Sequence, residues 1–184
     1  MTIVYFVRSA ACENPQDLTS AITATGKKEI EAINAFFSDK EIANLFVCNE
    51  KNGLTTMESL IQGEKCKVTI TEEFNERKIG PRVLNLDSFT RNQFERPEYS
   101  LPEGESFFET QDRMLDGLER IVTEFENQTS LICTQSMSLA TVITFFDETF
   151  SFEEYQRTKQ VTPWIVKMKF EGRALISLEE IRCM

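Results

Sequence analysis

The most informative residue type in this 184-residue chain is one it lacks: there is no histidine. That removes Ser-His-Asp and Cys-His nucleophilic catalysis, His-based zinc sites and any imidazole base. The five cysteines (Cys12, Cys48, Cys66, Cys133 and Cys183) are odd in number and widely spaced, with no Cys-x-x-Cys. They read as free thiols rather than a disulfide framework or a structural zinc site. No Gly-x4-Gly-Lys-Ser/Thr loop, Gly-x-Gly-x-x-Gly turn or Gly-x-Ser-x-Gly elbow occurs, and no cysteine has an arginine six positions later. Phosphate-cradling loops, dinucleotide turns and serine elbows are thereby excluded. The acidic pairs Glu72-Glu73 and Glu153-Glu154 read as solvated faces, the usual place for glutamate.

The surrounding elements alternate. Ile3 to Val7 is a continuous apolar run of a kind buried on both faces of a sheet. Leu45 to Cys48 and Ser130 to Thr134 are two more, and Lys67 to Thr71 has strand character. Thr25 to Phe37 carries Ile30, Ile33 and Phe37 at helical spacing, with Lys27, Lys28, Glu29 and Glu31 expected outside. Thr55 to Ile61, Leu139 to Phe146 and Phe152 to Lys159 are expected helices, the last one polar. Ser106 followed by Glu109 is a capping box, opening a helix whose expected apolar face is Phe108, Leu115, Leu118, Val122 and Phe125. Glu73 to Leu101 shows no clear period. Trp164 to Phe170 and Ala174 to Leu178, joined through Gly172, form a closing hairpin. The order predicts an α/β fold: a three-layer sandwich with a mainly parallel central sheet flanked by helices. At about 150 residues per domain, the expectation is a single domain over 1–184.

The formal charge of −10 argues against nucleic-acid binding and against anionic membranes. The first residues lack a charged leader, and their apolar run is too short to span a bilayer. The expected location is cytoplasmic.

Several motifs then fall in a familiar order. Ile3-Val4-Tyr5-Phe6-Val7-Arg8-Ser9-Ala10 is a strand running into Arg-Ser-Ala. Leu18-Thr19 and Gly26 follow, then Val47 to Glu58, then Asn75-Glu76-Arg77-Lys78-Ile79-Gly80. Gly104-Glu105-Ser106 opens a helix, and Leu131-Ile132-Cys133-Thr134-Gln135-Ser136 closes the set. In this order the chain resembles the histidine phosphatase superfamily, in its short, bacterial, phosphoglycerate mutase-like branch. The family's corresponding motifs are Arg-His-Gly/Ala, Leu-Thr…Gly, Ser-Ser-Pro-x-x-Arg-Ala-x-Gln-Thr-Ala-Glu, Asn-Glu-Arg-x-x-Gly, Gly-Glu-Ser and Ser-His-Gly. Each motif is weak alone; the ordered set spans nearly the whole chain.

The resemblance implies a phosphoglycerate mutase-like fold and a phosphoryl-transfer site, and the departures fall on that site. Ser9 stands at the nucleophilic histidine, Asn52 at the second pocket arginine and Gln135 at the second pocket histidine. Arg8 remains at the first, phosphate-binding arginine and Glu76 at the proton-donor position. A phosphoserine is a stable ester where a phosphoimidazole is labile, and Ser9 has no histidine to take its proton. Asn52 and Gln135 can donate hydrogen bonds but not the charge-assisted contacts a transferring phosphoryl group needs. Losing one member of a catalytic unit can lower the rate by about 10⁶, as in subtilisin.

The expected function is therefore a catalytically impaired pseudoenzyme with a binding or regulatory role, using no cofactor and no metal. Two alternatives stand beside it: an altered phosphoester hydrolase using Arg8 and Glu76, or a structural partner of an active paralogue. Arg8 is either a retained phosphate ligand or a charge paired with Glu76 or Glu105. The partners left open are a weakly held phosphate or phosphoester at the vestigial pocket, with Arg77 as a further donor, and a protein partner or homodimer.

Overall fold

The computed structural model describes residues 1–183. Its strands are β1 (Thr2–Arg8), β2 (Asn44–Cys48), β3 (Lys67–Thr71), β4 (Thr129–Thr134), β5 (Ile165–Glu171) and β6 (Ala174–Ile181). The helices are α1 (Ala24–Phe37), α2 (Lys51–Gln62), α3 (Leu86–Glu95), α4 (Phe107–Glu124), α5 (Ser136–Phe146) and α6 (Phe152–Thr158). The sheet order is β3-β2-β4-β1-β5-β6. Its first four strands are parallel, while β5 runs antiparallel to β1 and to β6.

The apolar runs become the central strands because both faces are covered. Val4 and Phe6 of β1 pack with Met114, Leu118 and Ile121 of α4 and with α5. Tyr5 and Val7 point the other way, into a cluster with Ile33 and Phe37 of α1 and Met57 of α2. The result is the three-layer α/β sandwich predicted. Phe6, Leu45, Leu131 and Ile132 have no exposed surface, and burying a side chain of this size stabilises the fold by about 1.5–3 kcal/mol.

Three details differ from the sequence reading. The segment without a clear period contains α3, whose buried residues are Phe89, Thr90 and Gln93. Two of these are polar, so the helical period is invisible to a hydrophobic pattern. Helix α4 begins with the expected capping box, but its buried face holds Phe107, Met114, Leu118, Ile121 and Val122, while Phe108 is 49% exposed. Adjacent apolar pairs (Phe107-Phe108, Met114-Leu115) leave the rotational phase open by one residue, about 100° on a helix of 3.6 residues per turn. Glu29, expected outside α1, is buried.

The topology sets where chemistry can occur. β2, β4 and β1 are consecutive, so their C-terminal ends lie side by side, with Arg8 opposite Thr134 and Val47 opposite Cys133. In open α/β sheets ligands bind beyond these ends.

Candidate functional site

Ser9, Asn52 and Gln135 each sit at or just beyond the C-terminal end of a central strand. Ser9 directly follows β1, and its N–H donates to Thr134 O at 2.8 Å. Asn52 lies in the first turn of α2, and Gln135 is the N-cap residue of α5. Their side chains bond to one another. Ser9 Oγ donates to Gln135 Oε1. Asn52 Nδ2 donates to Ser9 Oγ at 3.0 Å and to Gln135 Oε1 at 3.2 Å. Gln135 Nε2 returns a bond to Asn52 Oδ1 at 2.6 Å. All three residues are buried. The three side chains are neutral, and their donors already have acceptors within the cluster and, for Gln135, on Glu50.

A glutamate the sequence reading did not single out borders this cluster. Glu50, the N-cap residue of α2, accepts from Gln135 Nε2 at 2.9 Å and from the Glu76 N–H at 3.0 Å. Burial pushes its carboxyl pKa up, against the opposing effect of those two bonds. In the pH interval between the ordinary value of 4.5 and this raised value, the folded state binds more protons than the unfolded state. Stability then falls as pH rises through the interval. Measured by urea denaturation between about pH 4 and pH 8, wild type is expected to lose stability with rising pH relative to E50Q, which has no proton to release. A difference that is flat or rises with pH would contradict the buried setting of Glu50.

Glu76 lies across the cluster. Its carboxylate accepts from Met137 N at 3.0 Å, from Ser138 N at 2.8 Å and from Ser138 Oγ at 3.0 Å. It also accepts from Arg77 N at 2.8 Å. Gln135 makes no side-chain cap bond to α5, so Glu76 supplies the cap from another part of the chain. A negative carboxylate there complements both the unpaired N–H groups and the helix dipole.

Arg8 departs from expectation. Its guanidinium donates to Glu29 Oε1 at 3.1 Å, to Thr158 O at 3.0 Å and to Val161 O at 2.8 Å. Of the two roles left open for Arg8, phosphate ligand or ion-pair partner, the ion pair forms with Glu29 and not with Glu76 or Glu105. Glu105 instead takes Arg113 at 2.8 and 2.9 Å and the Lys78 N–H at 2.8 Å. Glu29 also accepts from Ala11 N at 2.8 Å, so Arg8 and Glu29 together tie β1 to α1, to the end of α6 and to the segment after it. The reason is spacing: Gly26, Glu29, Ile33 and Phe37 share one face of α1. A buried carboxylate on that face needs a cation, and Gly26 lets the helix approach, since a Cβ there would lie 2.3 Å from Ala11 O. That spacing was the available signal for Glu29.

Cys48 and Cys133 are buried at the ends of β2 and β4. The Cys48 thiol is pushed well above its ordinary pKa by the Cys133 thiol and by burial. That disfavours the nucleophilic thiolate. Among the described residues, no cluster of three or more His, Cys, Asp or Glu side chains could hold a metal ion, and no helix is long and apolar enough to cross a membrane.

The histidine phosphatase superfamily (branch 1) matches residues 4–179. Among solved structures, YhfR of Bacillus stearothermophilus superimposes with a TM-score of 0.77 at 20% identity, covering 95% of this chain and 94% of that one. A phosphoserine phosphatase mutant from Entamoeba histolytica, in complex with phosphoserine, gives 0.74 at 18% identity over 97% and 96% of the two chains. The mycobacterial glucosyl-3-phosphoglycerate phosphatase complexed with VO3 gives 0.74 at 8% identity over 97% and 96%. At these identities the likeness is one of fold. No curated protein matches the sequence.

Proposed function

Because the chain belongs to the histidine phosphatase superfamily (branch 1), we propose that it is a pseudoenzyme of that family, with a binding or regulatory role in place of phosphoryl transfer. The observation that carries this reading is the closed Ser9–Asn52–Gln135 cluster. In this reading Ser9 holds the nucleophile's position, Asn52 the second arginine's and Gln135 the second histidine's. The Ser9 hydroxyl gives its hydrogen to an amide oxygen, which is far too weak a base to take the proton. An attacking serine needs a base that removes it, and the chain has no histidine. The developing charge on a transferring phosphoryl group would meet Glu50 and Glu76 rather than a cation.

Arg8 serves as a structural anchor here rather than as the phosphate ligand, since its bonds run to Glu29, Thr158 and Val161. Glu76 serves as a helix cap rather than a proton donor. The chain acts as one unit over 1–184, in the cytoplasm. Relatives of the same fold are complexed with phosphoserine and with 3-phosphoglyceric acid, so small phosphoesters are the first ligands to test. Binding at the Ser9 cluster itself is expected to be no tighter than roughly millimolar, about 4 kcal/mol.

The test is turnover of p-nitrophenyl phosphate, phosphoserine and 3-phosphoglycerate by the purified protein over a range of pH. No release of phosphate above the protein-free control is expected. Turnover of about 1 per second or more, abolished in S9A, would overturn the proposal and favour an altered hydrolase.

A further inference from the structure

Helices α4 and α5 carry more apolar residues than the sheet can cover. The inward stripe of α4 holds Phe107, Met114, Leu118 and Ile121, and the neighbouring Phe108 and Leu115 form a second stripe two turns long. Phe108 stays 49% exposed and Phe145 of α5 is 56% exposed. Where the two helices pack together beside β5, a groove of about 310 Å³ remains, walled by Leu115, Leu118, Val122, Phe145, Phe146 and Phe170. That is about twice the roughly 150 Å³ that holds a benzene ring, which gives room for two apolar side chains. Phe145 packs edge-on against Phe146 with 5.0 Å between ring centroids, and Phe146 against Phe170 at 6.2 Å. These ring contacts hold one wall in place.

The rim of the groove is acidic. Glu119 lines it and pairs with Arg173, the one cation among its lining residues. Asp112 and Asp116 of α4 and Asp147 and Glu148 beyond α5 are exposed. Among the described residues none of these four forms an ion pair. Both helices also lack a basic residue in the last turn. A helix C-terminus carries about half a negative charge and favours a cation, so Asp147 and Glu148 add to the field of α5 instead of offsetting it. Uncovered apolar surface and uncompensated negative charge therefore coincide.

We propose that this groove docks a basic amphipathic helix of a partner protein, with aliphatic side chains in the groove and Lys or Arg residues against the acidic rim. Helix-in-groove recognition uses such an apolar face, and opposite charges at the rim select the partner. A second copy of this chain fits less well, since it brings a further net charge of −10 and the same acidic rim. Phe170 pairs with Thr2 at the start of β1, so the groove lies at the opposite end of the sheet from Ser9. It stands whether or not Ser9 turns over a substrate.

The experiment follows the fluorescence anisotropy of a labelled Leu/Lys peptide, with leucine at helical spacing and lysine elsewhere, on wild type, F145S and D116N/E148Q. Two control peptides each keep half of the recognition: a Leu/Glu peptide keeps the apolar face, and a Ser/Lys peptide keeps the charge. Wild type is expected to bind the Leu/Lys peptide alone, and more weakly as salt rises. F145S changes an exposed side chain and should bind at least about ten-fold more weakly, as loss of an aromatic anchor does. D116N/E148Q should lose affinity and part of the salt dependence. No wild-type binding tighter than roughly millimolar, equal binding of the Ser/Lys peptide, or unchanged affinity in either variant would overturn the proposal. Sedimentation tests the second copy: wild type is expected to make no dimer through this face, and a dimer abolished by F145S would overturn the basic partner in favour of self-association.

Discussion

Truncating Arg8 is expected to destabilise the fold by about 3–5 kcal/mol, because R8A leaves Glu29 as a buried carboxylate without its cation. Glu29 is 3% exposed and would keep only the Ala11 N–H as a donor. The carbonyls of Thr158 and Val161 would lose their donors as well. A loss of this size is a large fraction of the 5–15 kcal/mol that stabilises a typical domain. The variant set R8M, E29Q and R8M/E29Q separates the ion pair from simple packing. The double variant should be less destabilised than the sum of the singles by about 1–3 kcal/mol, the coupling expected of residues in direct contact. Urea denaturation measures all three. Additivity, or an R8A loss below about 1 kcal/mol, the range of an exposed pair, would show Arg8 to be dispensable to the fold. It would then be free to serve as a ligand.

Glu76→Ala is the second large effect. The carboxylate satisfies Met137 N, Ser138 N and Ser138 Oγ, on residues with no exposed surface. Each buried donor left without a partner costs about 1–3 kcal/mol, and two backbone N–H groups at the low end give a loss of about 2–3 kcal/mol. E76Q keeps the size of the side chain and one acceptor oxygen, so it should lose about half as much. The pair of variants also separates two roles for this residue. A helix cap acts on stability in both variants and on any residual phosphate release in neither, once the protein is folded. A proton donor would show the reverse: stability little changed, and phosphate release lost in E76Q as completely as in E76A.

These two residues show how much could be read without the fold. The ordered motifs were enough to expect Ser9, Asn52 and Gln135 side by side, as they are, since the ends of β1, β2 and β4 must meet if the strands are neighbours. The missing histidines were equally legible, because an absence of a residue type needs no geometry. The partners of these residues were not legible. Arg8 was expected either as a phosphate ligand or beside Glu76 or Glu105, and its ion pair is with Glu29, which hydropathy alone had placed outside α1.

The chain by itself determined the α/β class, the strand order's core and the absence of imidazole chemistry. Continuous apolar runs can be buried only between two helical layers, and no arrangement of this sequence can create a histidine. Only the tertiary structure decided that Ser9, Asn52 and Gln135 bond to one another, that Glu76 caps α5 and that Arg77 is buried without a carboxylate. Those outcomes depend on which polar atoms finish within about 3 Å of one another. The pairs concerned lie far apart in the chain, up to 126 residues for Ser9 and Gln135. Hydrophobic periodicity says which face is inside, but a buried polar side chain is assigned its partner by the packing of every element around it.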